Sequence, residues 1–165
     1  MMRLAIFAAA FTALFVGPAL AVDSSLSPQA NAAFLAANAK KPGVIVESDG
    51  LQHRAIHSGY GKRPAATNLV TVSYQGALIN GKVFDATEPG LPAQFTVNKL
   101  IPGWTEALQL MREGDQWQLV IPANLAYGTH GAGGAIPPDQ TLVFDLTLIS
   151  VSPPPKEPDQ GKGSQ

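Results

Sequence analysis

Polar and apolar residues alternate most cleanly in "LVTVSYQGALI", residues 69–79. Val70, Val72 and Tyr74 share one face there, and Thr71, Ser73 and Gln75 the other, the period of a half-buried strand. Asn80-Gly81 follows, a strong hairpin signal, so "KVFDAT" is expected to return antiparallel. "QFTVN", "DQWQLVIP" and "TLVFDLTLISV" read as further strands. In the last, Leu142, Phe144, Leu146 and Leu148 share a face, while Val143, Ile149 and Val151 make the other apolar as well. That places it centrally in a sheet. The period changes once within this region: in "IPGWTEALQLMREG", Trp104, Ala107, Leu108 and Met111 fall at i, i+3, i+4 and i+7. This predicts a short helix with Glu106 near its start, Arg112 near its end and Gly114 as its stop. "GVIVE" and "GLQHRAI" are shorter strand-like pieces. Several strands around one short helix make an α+β domain with a mostly antiparallel sheet.

The ends read differently. Arg3, an uncharged apolar run from Leu4 to Val16, the Gly17-Pro18 break and Ala19-Leu20-Ala21 fit a cleaved secretory signal over residues 1–21. The rival, a membrane anchor, is opposed by the Gly-Pro break and the alanine content. Cleavage would leave a soluble chain, not a membrane protein. Ser27-Pro28 marks a helix start in an extension over residues 22–49, running to Lys40-Lys41 and stopped by Pro42-Gly43. A helix of about 13 residues is marginal alone, so Phe34 and Leu35 are expected to dock. After Val151, the polar, proline-rich residues 152–165 read as a disordered or extended tail.

Composition narrows the chemistry. Hydrophobic residues make up 45% of the 165 and charged ones 14%, which fits a packed core. Eleven Lys+Arg against 12 Asp+Glu argue against nucleic acid as a main partner. The absence of cysteine removes disulfides, zinc-thiolate sites and cysteine nucleophiles together. No G-x-S-x-G or H-E-x-x-H occurs. His53 and His57 are spaced for a helix but lie in strand-like sequence, which argues against a metal site. His130 reads as a solvated loop residue, and Glu113 and Asp115 as an exposed turn. The glycine-rich "AYGTHGAGGAIPP", Ala126 to Pro138, lacks the lysine and following helix of a phosphate loop. Tyr127 and Ile136 are too apolar for slack linker, which leaves a loop covering a pocket.

The fragments "VSYQG", "GKVFDAT", "LIPGW", "AYG" and "IPP…TLVFDLTL" stand in that order. With the Tyr-to-Ile-Pro-Pro spacing kept, the chain resembles the FKBP-type peptidyl-prolyl cis-trans isomerases. It is most similar to the secreted bacterial branch that includes macrophage-infectivity-potentiator-like proteins. The resemblance covers about Gly50 to Val151, taken as the isomerase domain. It implies a half-barrel of antiparallel strands around the short helix, with the pocket between them. It implies catalytic-site roles for Tyr74, Phe84, Asp85, Trp104, Tyr127 and Phe144, with Trp104 as floor and Asp85 as a buried orienting carboxylate. Leu100, Ile101 and Ile136 would add substrate-binding surface. No cofactor or metal is implied. The partners implied are proline-containing proteins or peptides, and macrolides such as tacrolimus. Alanine stands at 93, 132 and 135, where many relatives carry larger side chains, which implies a smaller rim. The short N-terminal helix implies a monomer. A periplasmic or secreted isomerase assisting protein folding is the leading reading. A non-catalytic chaperone or proline-segment binding module on the same fold is the alternative.

Overall fold

The computed structural model describes residues 23–154; the signal segment 1–21 and most of the tail, from Pro155 on, lie outside them. In chain order the elements are α1 (Pro28–Asn38), β1 (Ile45–Val46), β2 (Gln52–His57), β3 (Leu69–Leu78), β4 (Val83–Ala86), β5 (Ala93–Thr96), α2 (Pro102–Leu110), β6 (Gln116–Ile121) and β7 (Leu142–Ser152). The strands form one antiparallel sheet in the order β1-β2-β6-β7-β3-β4, and β5 also pairs with β3. The fold is α+β, as the alternation predicted. β7 is central: it pairs with β6 over Leu142–Thr147 and with β3 along its whole length.

Burial follows the pattern. Val70, Val72, Leu119, Ile121, Leu142, Leu146 and Leu148 are all fully buried, each contributing about 1.5–3 kcal/mol of transfer free energy. They meet Trp104, Ala107, Leu108 and Met111 in one core, so the sheet packs around α2. The helix comes close at Gly103, where a Cβ would stand 2.5 Å from Ile121 Cγ2. Any larger residue there would push α2 off β6. The hairpin after β3 is a three-residue loop. Gly81 N–H donates to Leu78 O and Leu78 N–H to Lys82 O, both at 2.9 Å, and Gly81 takes the left-handed conformation at φ 85°. Three-residue loops closed by a left-handed glycine are among the common hairpin connections.

Three expectations are corrected. α2 ends at Leu110, not near Gly114, because Met111 turns extended (φ −75°, ψ 164°). Asp115 holds that turn. Its carboxylate accepts from Arg112 N–H at 2.7 Å and from Gly59 N–H, so it is buried and not an exposed turn residue. Glu113 accepts from Val151 N–H at 2.6 Å with one oxygen and from Lys62 N–H at 3.3 Å with the other. These backbone bonds hold its pKa below the usual carboxylate range. The pair therefore ties loop Gly59–Lys62 to the α2–β6 turn. The third correction concerns α1, which ends at Asn38, with Lys41 over the Phe34 ring at 5.7 Å. Its buried residues are Asn31 and Asn38, while Phe34 and Leu35 are half-buried. An alanine-rich helix has little apolar bulk to dock with, and it docks by amides. Asn38 Nδ2 donates to Gln52 Oε1 at 2.9 Å, and Gln52 Nε2 to Leu35 O at 3.0 Å.

Candidate functional site

Between α2 and the sheet lies a cavity of about 320 Å³, within the range of small-ligand sites. Six aromatic rings line it, each from a different segment. Tyr74 comes from β3, Phe84 from β4, Phe95 from β5, Trp104 from the first turn of α2, Tyr127 from the loop after β6 and Phe144 from β7. Trp104 is buried at 4% exposure. Its ring meets Tyr74 at 5.1 Å and 89°, Phe144 at 5.2 Å and 83°, and Phe95 at 6.1 Å and 89°. Phe84 meets Phe144 at 5.6 Å and 87°. Edge-to-face pairs of this kind are worth about 0.5–1.5 kcal/mol each beyond burial. The wall is therefore rigid before any ligand arrives.

Polar groups are few. Tyr74 Oη donates to Asp85 Oδ2 at 2.6 Å. Burial, and then this bond to a carboxylate, push the Tyr74 phenol above its ordinary pKa, so it remains a donor across the physiological range. Asp85 itself is exposed, which corrects the expectation of a buried carboxylate. It sits on the short edge strand β4, where alternation turns Phe84 inward and leaves Asp85 at the rim. Leu100, Ile101 and Lys99 complete the lining. Thr105 Oγ1 pins this segment by donating to Val97 O at 2.8 Å. Ile101 caps α2, and its carbonyl accepts from Trp104 N–H and Thr105 N–H. Its own N–H has no acceptor among the described residues, as is usual at a helix start. Trp104 Nε1 is buried without a partner there as well.

Eight of the nine sequence-derived site residues thus line one cavity. Ile136 does not: it is buried in the core at 5% exposure. There it closes the glycine-rich loop through paired bonds with Ala132 at 2.9 and 3.1 Å. Phe95 and Lys99 line the cavity and were missed. The signal for Phe95 was its alternation with Ala93 and Val97, which puts it on the inner face, where its ring meets Tyr74 and Trp104. Lys99 carried no signal, since only the three-dimensional turn before α2 brings it to the rim. The other candidates lie elsewhere. His53 stacks on Trp117 at 4.4 Å and contacts Glu47 at 2.8 Å, whereas His57 and His130 are exposed. Among the described residues no three His, Cys, Asp or Glu cluster as metal ligands, and no helix is long and apolar enough to cross a membrane.

The sequence model of the FKBP-type peptidyl-prolyl cis-trans isomerases matches residues 61–149. The chain belongs to this family. The outer membrane protein MIP of Legionella longbeachae is 53% identical over 120 residues, covering 72% of this chain and 52% of that protein. The FKBP-type 22 kDa peptidyl-prolyl cis-trans isomerase of Escherichia coli K12 is 52% identical over 119 residues, covering 72% and 58%. The crystal structure of a peptidyl-prolyl cis-trans isomerase from Pseudomonas syringae superposes with TM-score 0.72 at 42% identity, covering 76% of this chain and 92% of that one. The chain thus spans little more than half the length of the first two relatives. The FKBP-type match begins after α1 and β2 and takes in every cavity residue.

Proposed function

We propose that the chain catalyses cis-trans isomerisation of X-Pro peptide bonds in this cavity. The observation that carries the reading is the preformed aromatic box, with its donors at the rim. Rotation about an X-Pro bond breaks no covalent bond, so it needs no nucleophile. Its barrier of about 18–20 kcal/mol is largely lost amide resonance, and exchange takes tens to hundreds of seconds unaided. In the twisted transition state the nitrogen lone pair is no longer shared, and the carbonyl is less dipolar. A dry apolar site therefore disfavours the planar amide more than the twisted one. About 4 kcal/mol of this difference gives roughly a thousandfold in rate.

In this reading Trp104 is the floor for the proline ring, and Tyr74, Phe84, Phe95 and Phe144 are the walls. The Tyr127 hydroxyl and the Ile101 N–H hold neighbouring carbonyls of the substrate and leave the rotating one dry. Asp85 orients Tyr74 from the rim and transfers no proton. Leu100 extends the apolar surface, and Ile136 acts from the core by shaping the loop. The isomerase domain is Gly50 to Val151, flanked by the extension and the tail. Signal cleavage after Ala21 delivers a monomer to the periplasm or beyond, where exported proteins are its clients. Ala93, Ala132 and Ala135 give weaker hold on macrolides such as tacrolimus than larger side chains would.

A protease-coupled assay on a short X-Pro peptide tests the proposal. Acceleration of the slow phase in proportion to protein at micromolar concentration is expected. Binding of the peptide with no acceleration would replace the isomerase reading with the chaperone one.

A further inference from the structure

The loop that carries Tyr127 to the cavity, Tyr127 to Pro138, is tied down from outside the region that matches the family. Its return into β7 passes through Asp139, the one non-glycine residue with positive φ (59°) among the described residues. Such a conformation persists only where its surroundings over-determine it. Asp139 N–H donates to Gly128 O at 2.9 Å, closing the loop next to Tyr127. The two residues after Asp139 are buried and held by the N-terminal segment. Asn31 of α1 accepts from Thr141 N–H through Oδ1 at 2.8 Å. Its Nδ2 donates to Gln140 Oε1 at 3.3 Å, Ser27 O at 3.0 Å and Leu26 O at 3.2 Å. Gln140 Nε2 completes the network, donating to Leu26 O at 3.1 Å and to Pro138 O at 2.9 Å. Asn31, Gln140 and Thr141 are exposed by only 5%, 6% and 2%. A buried amide whose donors and acceptor are all engaged fixes geometry on both sides of it.

We infer that Asn31 is a positioning residue for the pocket: through Thr141 and Gln140 it holds Asp139 in its left-handed conformation and so sets where the loop carries Tyr127. The chain of contacts runs Asn31, Thr141 and Gln140, Asp139, Gly128, Tyr127. Only the last of these lines the cavity. The effect on catalysis rests on the isomerase reading above; the effect on the loop does not.

Asn38 supplies the control. It anchors the other end of α1 to Gln52 and, among the described residues, makes no side-chain hydrogen bond to the loop. Hydrogen exchange and X-Pro peptide kinetics on the full chain would compare Asn31→Ala with Asn38→Ala. Asn31→Ala is expected to speed exchange at Gly131, Asp139 and Thr141 at least tenfold while β3 and β6 amides keep their wild-type rates. KM should rise threefold or more with kcat within twofold. Asn38→Ala should speed exchange in α1 and leave the loop and KM unchanged. Loop amides exchanging as in wild type in Asn31→Ala would overturn the inference. So would equal effects of the two variants on the loop, which would reduce Asn31 to general helix docking. Should Asn31→Ala fail to fold, Gln140→Ala removes the links to Leu26 and Pro138 from the loop side, and the same loop-confined pattern is required of it. Exchange needs no turnover, so an inactive wild type would sink the isomerase reading and still leave the loop amides to decide this one.

Discussion

Gly76→Ala probes whether the pocket walls depend on backbone room in β3. Gly76 pairs with Asp85 on one side and Phe144 on the other. A Cβ there would stand 2.6 Å from Phe144 Cε1, 2.7 Å from Phe84 Cζ and 2.8 Å from Phe84 Cε2. Ordinary carbon contacts are about 3.5–4.0 Å, so the methyl overlaps two rings by roughly 1 Å each. Phe144 cannot simply retreat, because Trp104 stands 5.2 Å behind it, edge to face. Overpacking of this kind costs about 1–3 kcal/mol. Against it, replacing glycine in a strand gains about 0.4–1 kcal/mol by restricting the unfolded chain. The clash wins by roughly 1–2 kcal/mol, a fall in Tm of about 4–8 °C for a domain of this size. The larger effect should be on activity, since the displaced rings are pocket walls. Thermal unfolding and kcat/KM for an X-Pro peptide would measure both. An unchanged or higher Tm with wild-type kcat/KM would mean that the two rings have slack to move away from the methyl.

Other perturbations test separate links. Asp85→Asn should bring the Tyr74 phenol part of the way back toward its ordinary pKa in an ultraviolet titration; a full return would mean that burial is not the larger cause. Asp115→Ala leaves the N–H groups of Gly59 and Arg112 without their acceptor and should cost roughly 2–4 kcal/mol in urea unfolding; a loss below about 1 kcal/mol would show that water replaces the carboxylate. The neighbouring Asp49 carboxylate, and then partial burial, raise the pKa of Glu106 to about 7. Its folded pKa lies above the unfolded one, so its stabilisation is complete below about pH 4.5 and is lost as pH rises through 7. Stability should therefore decline across that window in wild type and decline less in Glu106→Gln; parallel curves would contradict this.

The parts of the fold legible in the sequence are those set by local period. The alternation of Val70 and Val72 and the i, i+3, i+4, i+7 spacing from Trp104 are burial patterns, and burial decided them. The Asn80-Gly81 turn was legible because few residues tolerate left-handed backbone. What escaped depends on partners distant in sequence. Asp115 looks exposed until Gly59 is brought beside it. Asn31 and Asn38 look like the polar face of α1, yet they are its docking face, because their partners Thr141 and Gln52 present polar groups there. The aromatic lining was recoverable from ordered fragments, but Phe95 and Lys99 lay between them. Ile136 was placed at the rim because the loop was expected over the pocket, whereas its side chain turns into the core.

A catalyst of X-Pro rotation speeds both directions and chooses neither isomer. Exchange spectroscopy by NMR on an X-Pro peptide, with protein at a small fraction of peptide, separates such catalysis from binding alone. Cis-trans exchange, unaided on the scale of tens to hundreds of seconds, should become fast enough to give exchange cross-peaks while the cis:trans ratio stays fixed. The same measurement on Trp104→Ala should show the acceleration largely gone. Unchanged exchange rates in the presence of the folded wild-type protein, whatever its affinity for the peptide, would mean that the cavity is not a catalytic site.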